Sequence, residues 1–256
     1  LEKSIEIANN QNYLDKLFDV YPITPESNRI IETTLWESVM KNFEEKNDKE
    51  LFDDLLKLDL FPLKDSYVAY FKKLPNAISL NPDTIDRLLK RIYSLGLDKL
   101  HEICSQAKET NRQIGPMFGK YKKQLNLPNQ SYSLFVSSTE DAILDETDNL
   151  SMKFARNKLS YNLNKGLDLI ARVNNKYIIG EAKFLTDFGG HQNAQLNDAI
   201  SVMRSPTNNK TQNIGILDGV VYIKNEGKMF KELKLLNDSE IVISALLLDD
   251  YLESLK

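Results

Sequence analysis

Two stretches rich in apolar and β-branched residues, 166–173 and 176–184, flank the dipeptide Asn174-Asn175 and predict a β-hairpin. Asparagine tolerates the positive φ angles of a two-residue turn, so the register follows by counting outward from the pair. Val173 then faces Lys176, Arg172 faces Tyr177, Ile170 faces Ile179, and Asp168 faces Glu181. Side chains alternate across a strand, which puts Lys183 on the face of Glu181, one diagonal step from Asp168. The other face carries Leu167, Leu169, Ala171 and Val173 against Ile178, Gly180, Ala182 and Phe184, and reads as core.

Upstream, residues 1–125 show helical spacing, with Leu14, Leu17 and Phe18 followed by Ile30, Ile31, Leu35, Val39 and Phe43. Ser27 or Thr24 is placed to cap the second of these helices, with Pro25 near its first turn. Further helices are expected over 48–60, ended by Phe61-Pro62, then from Asn81-Pro82-Asp83 to Leu95, stopped by Gly96, and over 97–107. Trp36 lies on an apolar stripe and reads as core. Beyond Ser131 the pattern becomes mixed. A short helix is expected over 140–145 and a second, capped by Asp148, through Leu150, Phe154 and Leu159. After the hairpin and a loop at 186–190 comes a helix over 193–203, with Ala194, Leu196, Ile200 and Met203 available for its buried side. Short strands at 214–217 and 220–223 around Asp218-Gly219, and a longer apolar strand at 241–248, complete the chain. Helices crossing between strands predict an α/β (α+β mixed) fold. Its core, residues 126–256, is a central mixed β-sheet flanked by helices, and residues 1–125 form a helical domain serving DNA binding or dimerisation.

Composition narrows the class. Of 256 residues, 41% are hydrophobic and 27% charged, an ordinary globular balance. No apolar run is long enough to span a bilayer and no apolar leader opens the chain, so a cytoplasmic protein without membrane contact is expected. The single cysteine, Cys104, excludes an internal disulfide and reads as a buried small hydrophobe. Two histidines and one cysteine are too few for a tetrahedral zinc site. A net charge of −4 argues against a broadly basic nucleic-acid coat but leaves room for a narrow basic cleft.

The hairpin carries the chemistry. Two carboxylates directly opposite each other cost roughly 0.2–1 kcal/mol, so something should offset them. Lys183 does so in part, and a divalent cation does it better. Two carboxylates with bound waters and a substrate phosphate make a typical Mg²⁺ site, one able to polarise a phosphoryl oxygen or lower the pKa of a bound water. The Lys183 ammonium can orient or deprotonate the attacking water, or stabilise the pentacovalent phosphate. The plainer alternative is a salt-bridge cluster on an exposed sheet end, since Asp, twelve residues, then Glu-x-Lys also arises by chance.

Asp168 with Glu181-Ala182-Lys183, in the context Lys165-Gly166-Leu167-Asp168, resembles the PD-(D/E)XK nuclease signature of type II restriction endonucleases. The resemblance covers about residues 140–248. The leading proline of the pattern is replaced by Leu167. It implies a sheet whose second and third strands bear the catalytic groups. Asp168, Glu181 and the main-chain carbonyl of Ala182 would bind metal, Mg²⁺ or Mn²⁺ in its place, and Lys183 would be the catalytic lysine. The expected activity is hydrolysis of phosphodiester bonds within a short specific sequence of double-stranded DNA, by a homodimer. An additional carboxylate often comes from the helix before the first catalytic strand, and here Glu140, Asp141, Asp145 and Glu146 are available, Glu140 and Asp145 foremost. Two competitors stay open: a repair or junction-resolving nuclease of the same fold, and a non-catalytic DNA-binding protein.

Two segments are candidates for DNA contact. Arg112, Lys120, Lys122 and Lys123, interleaved with Phe118, Tyr121 and glycines, suit a phosphate backbone, or else form a solvated linker. The polar stretch after Lys183, with His191, Gln192, Asn193 and Gln195, offers amides for base reading, or is an ordinary helix start. Arg204 and Lys210 flank a loop that can reach phosphates.

Overall fold

The computed structural model describes residues 1–22, 28–107, 114–224 and 227–256. They fall into two compact units, Leu1–Ile23 together with Thr110–Lys256, and Thr24–Glu109. The helical stretch expected over 1–125 is therefore split. Its two ends belong with the sheet, because Tyr13, Leu17 and Val20 near the start, and Ile114 and Phe118 later, are buried in the sheet's own core.

The chain opens with α1 (Glu2–Ala8) and α2 (Tyr13–Val20) of the sheet unit. The helical unit follows: α3 (Thr33–Glu44), α4 (Asp48–Lys57), α5 (Val68–Lys73), α6 (Ala77–Leu80), α7 (Pro82–Leu95) and α8 (Leu97–Cys104). Glu32 caps α3 by accepting from the Thr34 and Leu35 amides, so Ile30 and Ile31 precede the helix and Ile30 stands 98% exposed. The capping residues expected at Thr24 and Ser27, and Pro25, lie outside the described residues. Pro82 in the first turn of α7 and Gly96 at φ 75° after its end match their expected roles. Leu51, Phe52, Leu55, Leu88, Ile92 and Leu100 are its buried centre, and Trp36 packs partly buried against them, edge-on to His101. Cys104 is buried there, its thiol pushed up to about 12 by burial.

The sheet unit resumes with α9 (Ile114–Lys122), β1 (Asn129–Gln130), α10 (Tyr132–Ser137), β2 (Ala142–Leu144) and α11 (Asp148–Leu159). Then come β3 (Leu169–Val173), β4 (Lys176–Leu185), α12 (Gly190–Met203), β5 (Thr211–Gly219), α13 (Lys228–Lys234), β6 (Ile241–Ile243) and α14 (Leu248–Glu253). Among the described residues they build one six-stranded mixed sheet in the order β1-β2-β3-β4-β5-β6. The β2/β3 and β3/β4 pairs are antiparallel; β1/β2, β4/β5 and β5/β6 are parallel. Both sides of the hairpin are covered. Leu169, Ala171, Val173, Ile178 and Ala182 join one core with α2, α9 and most of α12, while Ile170 and Ile179 join a second with α10 and α11. Leu167 falls into that second core rather than beside Leu169, because the regular strand begins only at Leu169.

Several elements differ from expectation. Residues 142–144 are strand β2 rather than helix, drawn into the sheet by pairing with Ala171 and Arg172. The two strands expected at 214–217 and 220–223 are one strand, β5, followed by a 3-10 turn at Val220–Tyr222. Gly219 makes that exit at φ 89°, where a Cβ would lie 2.1 Å from the Leu185 carbonyl oxygen. The strand expected over 241–248 stops at Ile243, because the Ser244 hydroxyl accepts from the Leu246 amide and caps a 3-10 turn leading into α14. Helix α12 starts at Gly190, and Ala194 is exposed rather than core.

Asp218, at the end of β5, is fully buried and accepts from the Ser244 hydroxyl at 2.5 Å and the Ala245 amide at 3.1 Å. The Tyr13 and Tyr21 hydroxyls donate to it at 3.2 and 3.3 Å. Burial pushes its carboxyl up to about 7, although all four donors pull the other way. One side chain thus ties β5, the chain after β6, and α2. Replacing it leaves buried donors unpaired, each costing about 1–3 kcal/mol. Asp218→Ala is therefore expected to lower stability by roughly 3 kcal/mol or more in urea unfolding.

Candidate active site

The hairpin closes as its sequence predicts. Asn174 and Asn175 adopt φ of 49° and 60°, and Val173 pairs Lys176, Arg172 pairs Tyr177, and Ile170 pairs Ile179. Leu169 opposite Gly180 is the last regular pair, so the next step outward brings Asp168 beside Glu181. The Asp168 carboxylate accepts from the Ala182 amide at 2.8 Å, which fixes it against β4. Glu181 is only 3% exposed. Its Oε1 receives the Lys183 ammonium at 2.6 Å and the Lys165 ammonium at 2.8 Å. The three residues singled out by sequence are therefore brought together.

Electrostatics record the crowding. Burial first, and then the Glu181 charge, push the Asp168 carboxyl up to about 6, against the Ala182 amide and Lys183, which lower it. Beneath it, the buried Lys122 donates to the Asp168 main-chain carbonyl at 3.0 Å, and burial lowers the pKa of its ammonium. Tyr161, also buried, has a hydroxyl with no hydrogen-bond partner among the described residues, and the Glu181 charge adds to the burial that raises it to about 12.

Two neighbouring carboxylates that repel each other suit a hard divalent cation. Asp168 and Glu181 are the side chains able to hold one, with Ala182 offering its carbonyl. No cluster of three or more acidic, histidine or cysteine side chains occurs among the described residues.

A cleft of about 470 Å³ opens from Asp168, lined by Gly115, Phe118, Lys120 and Lys122 on α9, by Lys123 just after it, and by Asp145, Glu146 and Asp148. Lys120 is exposed, and Lys123 pairs with Asp145 at 2.7 Å. Lys122 faces inward to Asp168 rather than out to solvent. Arg112 lies outside the described residues.

The other candidates separate. Glu140 is exposed and absent from the cleft, its carbonyl accepting from Arg172. Glu146 accepts from the Tyr132 amide. Asp148, expected only as a cap, lines the cleft, and its charge helps raise Asp168. Gln192 is buried, with its amide spent on the Thr186 amide and hydroxyl, so it does not face outward for base reading. His191 is exposed and within 3.1 Å of the Gln195 amide, while Asn193 turns toward the Phe188 carbonyl. Arg204 is tied to Glu240. Sequence reasoning missed Lys165 as a partner of Glu181, although it stands three residues before Asp168.

A sheet with an acid-lysine cluster at the end of its central hairpin is the setting in which family membership becomes informative. The family model of a type II restriction enzyme matches residues 1–255. The chain belongs to the Tsp45I type II restriction enzyme family, and is by that membership a restriction nuclease with DNA as its substrate. No curated protein and no solved structure matches it. Among the described residues, no helix is long and apolar enough to cross a membrane.

A stability prediction follows from the raised Asp168 carboxyl. Its folded pKa of about 6 lies above the ordinary 3.8, so the folded state holds this proton more tightly than the unfolded chain. The stabilisation is present at low pH and is lost as pH rises through about 6. Without divalent metal, Asp168→Asn is expected to be more stable than wild type at pH 7, by about 3 kcal/mol. Urea denaturation at pH 5 and pH 7 checks both sign and size, since the gain should shrink at the lower pH.

Proposed function

We propose that this protein is a Mg²⁺-dependent, sequence-specific endodeoxyribonuclease of the PD-(D/E)XK superfamily, with Asp168, Glu181 and Lys183 as its catalytic set. The observation that carries the reading is the meeting of two carboxylates and an ammonium at the end of one hairpin, in a chain of a type II restriction enzyme family. Asp168, Glu181 and the Ala182 carbonyl would hold the metal, Mg²⁺ or Mn²⁺ in its place. When bound, such an ion supplies Lewis-acid stabilisation of charge on the scissile phosphate.

The chain's own groups do the rest. Burial of Glu181, and the Ala182 amide on Asp168, fix both carboxylates without reorganisation. The Lys183 ammonium, half-buried and aimed along the same face, orients the attacking water or steadies the negative charge on phosphorus. Lys120 and Lys123 line the cleft that leads to Asp168 and take the DNA backbone, with Arg112 in the same basic segment. The start of α12, with His191, Asn193 and Gln195, is assigned to base contact. Arg204 is a weaker candidate because Glu240 holds it. Asp145, paired with Lys123, and Asp148 are the acids best placed to adjust the metal site. A homodimer follows from the two-fold symmetry of duplex recognition sites, with the helical unit 24–109 serving dimerisation or DNA binding.

Incubation of supercoiled plasmid with Mg²⁺ tests the proposal. Wild type is expected to give discrete, reproducible fragments and none with EDTA. Lys183→Ala and Asp168→Ala are expected to lower the cleavage rate at least about 1000-fold, while DNA binding in Ca²⁺ persists. Full cleavage by either variant would remove the assignment. Lys120→Ala is expected to flatten the salt dependence of DNA affinity by about one counter-ion.

A further inference from the structure

We propose that Lys165 is an internal counter-cation that holds Glu181 in the metal-free protein and transfers to Asp198 when a divalent ion binds. The inference rests on the metal-site reading above and adds a residue and a movement to it.

Three observations carry it. First, one carboxylate oxygen, Glu181 Oε1, receives two ammoniums, Lys183 at 2.6 Å and Lys165 at 2.8 Å. A divalent cation coordinated by that oxygen has to take the place of one of them, since two ammoniums and a dication cannot crowd a single atom. Second, the two lysines differ in what they can do on release. Lys183 stands on β4 two residues from Glu181 and half-buried, with Glu181 as its ion-pair partner. Lys165 stands in the connection before β3 and already touches a second carboxylate, Asp198 of α12, at 3.1 Å. Third, the two carboxylates differ in exposure. The Glu181 side chain is 4% exposed and that of Asp198 61% exposed. Lys165 thus bridges an interior acid, which a metal needs, and a surface acid, which it does not.

Backbone geometry keeps the exchange local. Gly166 is pressed so closely against α11 that a Cβ there would lie 2.5 Å from the Asp148 Cβ. The neighbouring residues Lys165 and Asp168 are therefore held by a fixed backbone, and only the lysine side chain needs to swing. Neither carboxylate is left without a cation, because the incoming ion replaces the ammonium at Glu181 while the ammonium keeps Asp198.

Calorimetric titration of Mn²⁺ into the full-length protein, beside circular-dichroism melting to verify folding, tests this. Removing the competitor with Lys165→Met is expected to tighten Mn²⁺ binding about fivefold, the factor matching an ion pair of this exposure. Removing the seat with Asp198→Asn is expected to weaken binding by a similar factor. In the double variant, Asp198→Asn should add nothing to Lys165→Met, because a seat without its occupant has no effect. Unchanged or weaker binding in Lys165→Met, or additive effects in the double variant, overturns the inference. Should Lys165→Met fail to fold, Lys165→Gln takes its place in the same cycle. If wild type binds no Mn²⁺, or binds it no better than Glu181→Ala, the metal site itself falls, and the parent reading with it.

Discussion

The structure depends on a repulsion that its hairpin enforces. Positive φ at Asn174 and Asn175 sets a two-residue turn, the turn sets the register, and the register puts Asp168 beside Glu181. A slip of one residue would carry Glu181 to the opposite face and dissolve the site. Burial on both sides of the sheet prevents the slip, since Ile170 and Ile179 fill one core while Leu169 and Ile178 fill the other. The apolar packing thus holds two carboxylates where, left to themselves, they would separate. Burial first, and then the charge of Glu181, raises the Asp168 carboxyl.

Cations around the pair are graded by depth. Lys122 sits buried under the Asp168 carbonyl, Lys183 and Lys165 share Glu181, and Lys120 and Lys123 line the cleft beyond. This grading reconciles a net charge of −4 with a DNA substrate. Local potential at a cleft decides association, and the overall sum does not. Asp145 and Asp148, which line the cleft together with the lysines, keep it from being uniformly basic.

The hairpin and its charged end were legible because three signals agree there: an Asn-Asn turn, period-two apolar runs, and acids in matching register. The mixed sheet and most helices were legible for similar reasons. What escaped was decided by groups far apart in sequence. A strand at 142–144 is too short to show periodicity and exists because Arg172 and Ala171 pair with it. Asp218 reads as a turn residue, yet it is buried by donors from Tyr13, Tyr21 and Ser244, some 200 residues apart at the extreme. Gln192 looks like a surface amide but is consumed by Thr186. Lys165 announces nothing by itself, since a lysine in a loop is ordinarily solvated, and only the folded hairpin brings Glu181 to it.

The buried Asp218 and the site on the neighbouring strand belong to one construction. Tyr21, which donates to Asp218, stacks on Phe184 with ring centroids 5.0 Å apart and planes within 6°. Phe184 follows Lys183 directly on β4. The α2 helix therefore braces the strand that carries Lys183, and it is itself anchored through a polar hub rather than through apolar contact alone. A buried carboxylate is a costly anchor, but its four donors must all be present, which admits a single placement of α2 on the sheet. An apolar substitute would tolerate sliding. For a site in which an ammonium must meet one carboxylate oxygen at hydrogen-bond distance, geometric uniqueness in the supporting elements matters more than their contribution to stability.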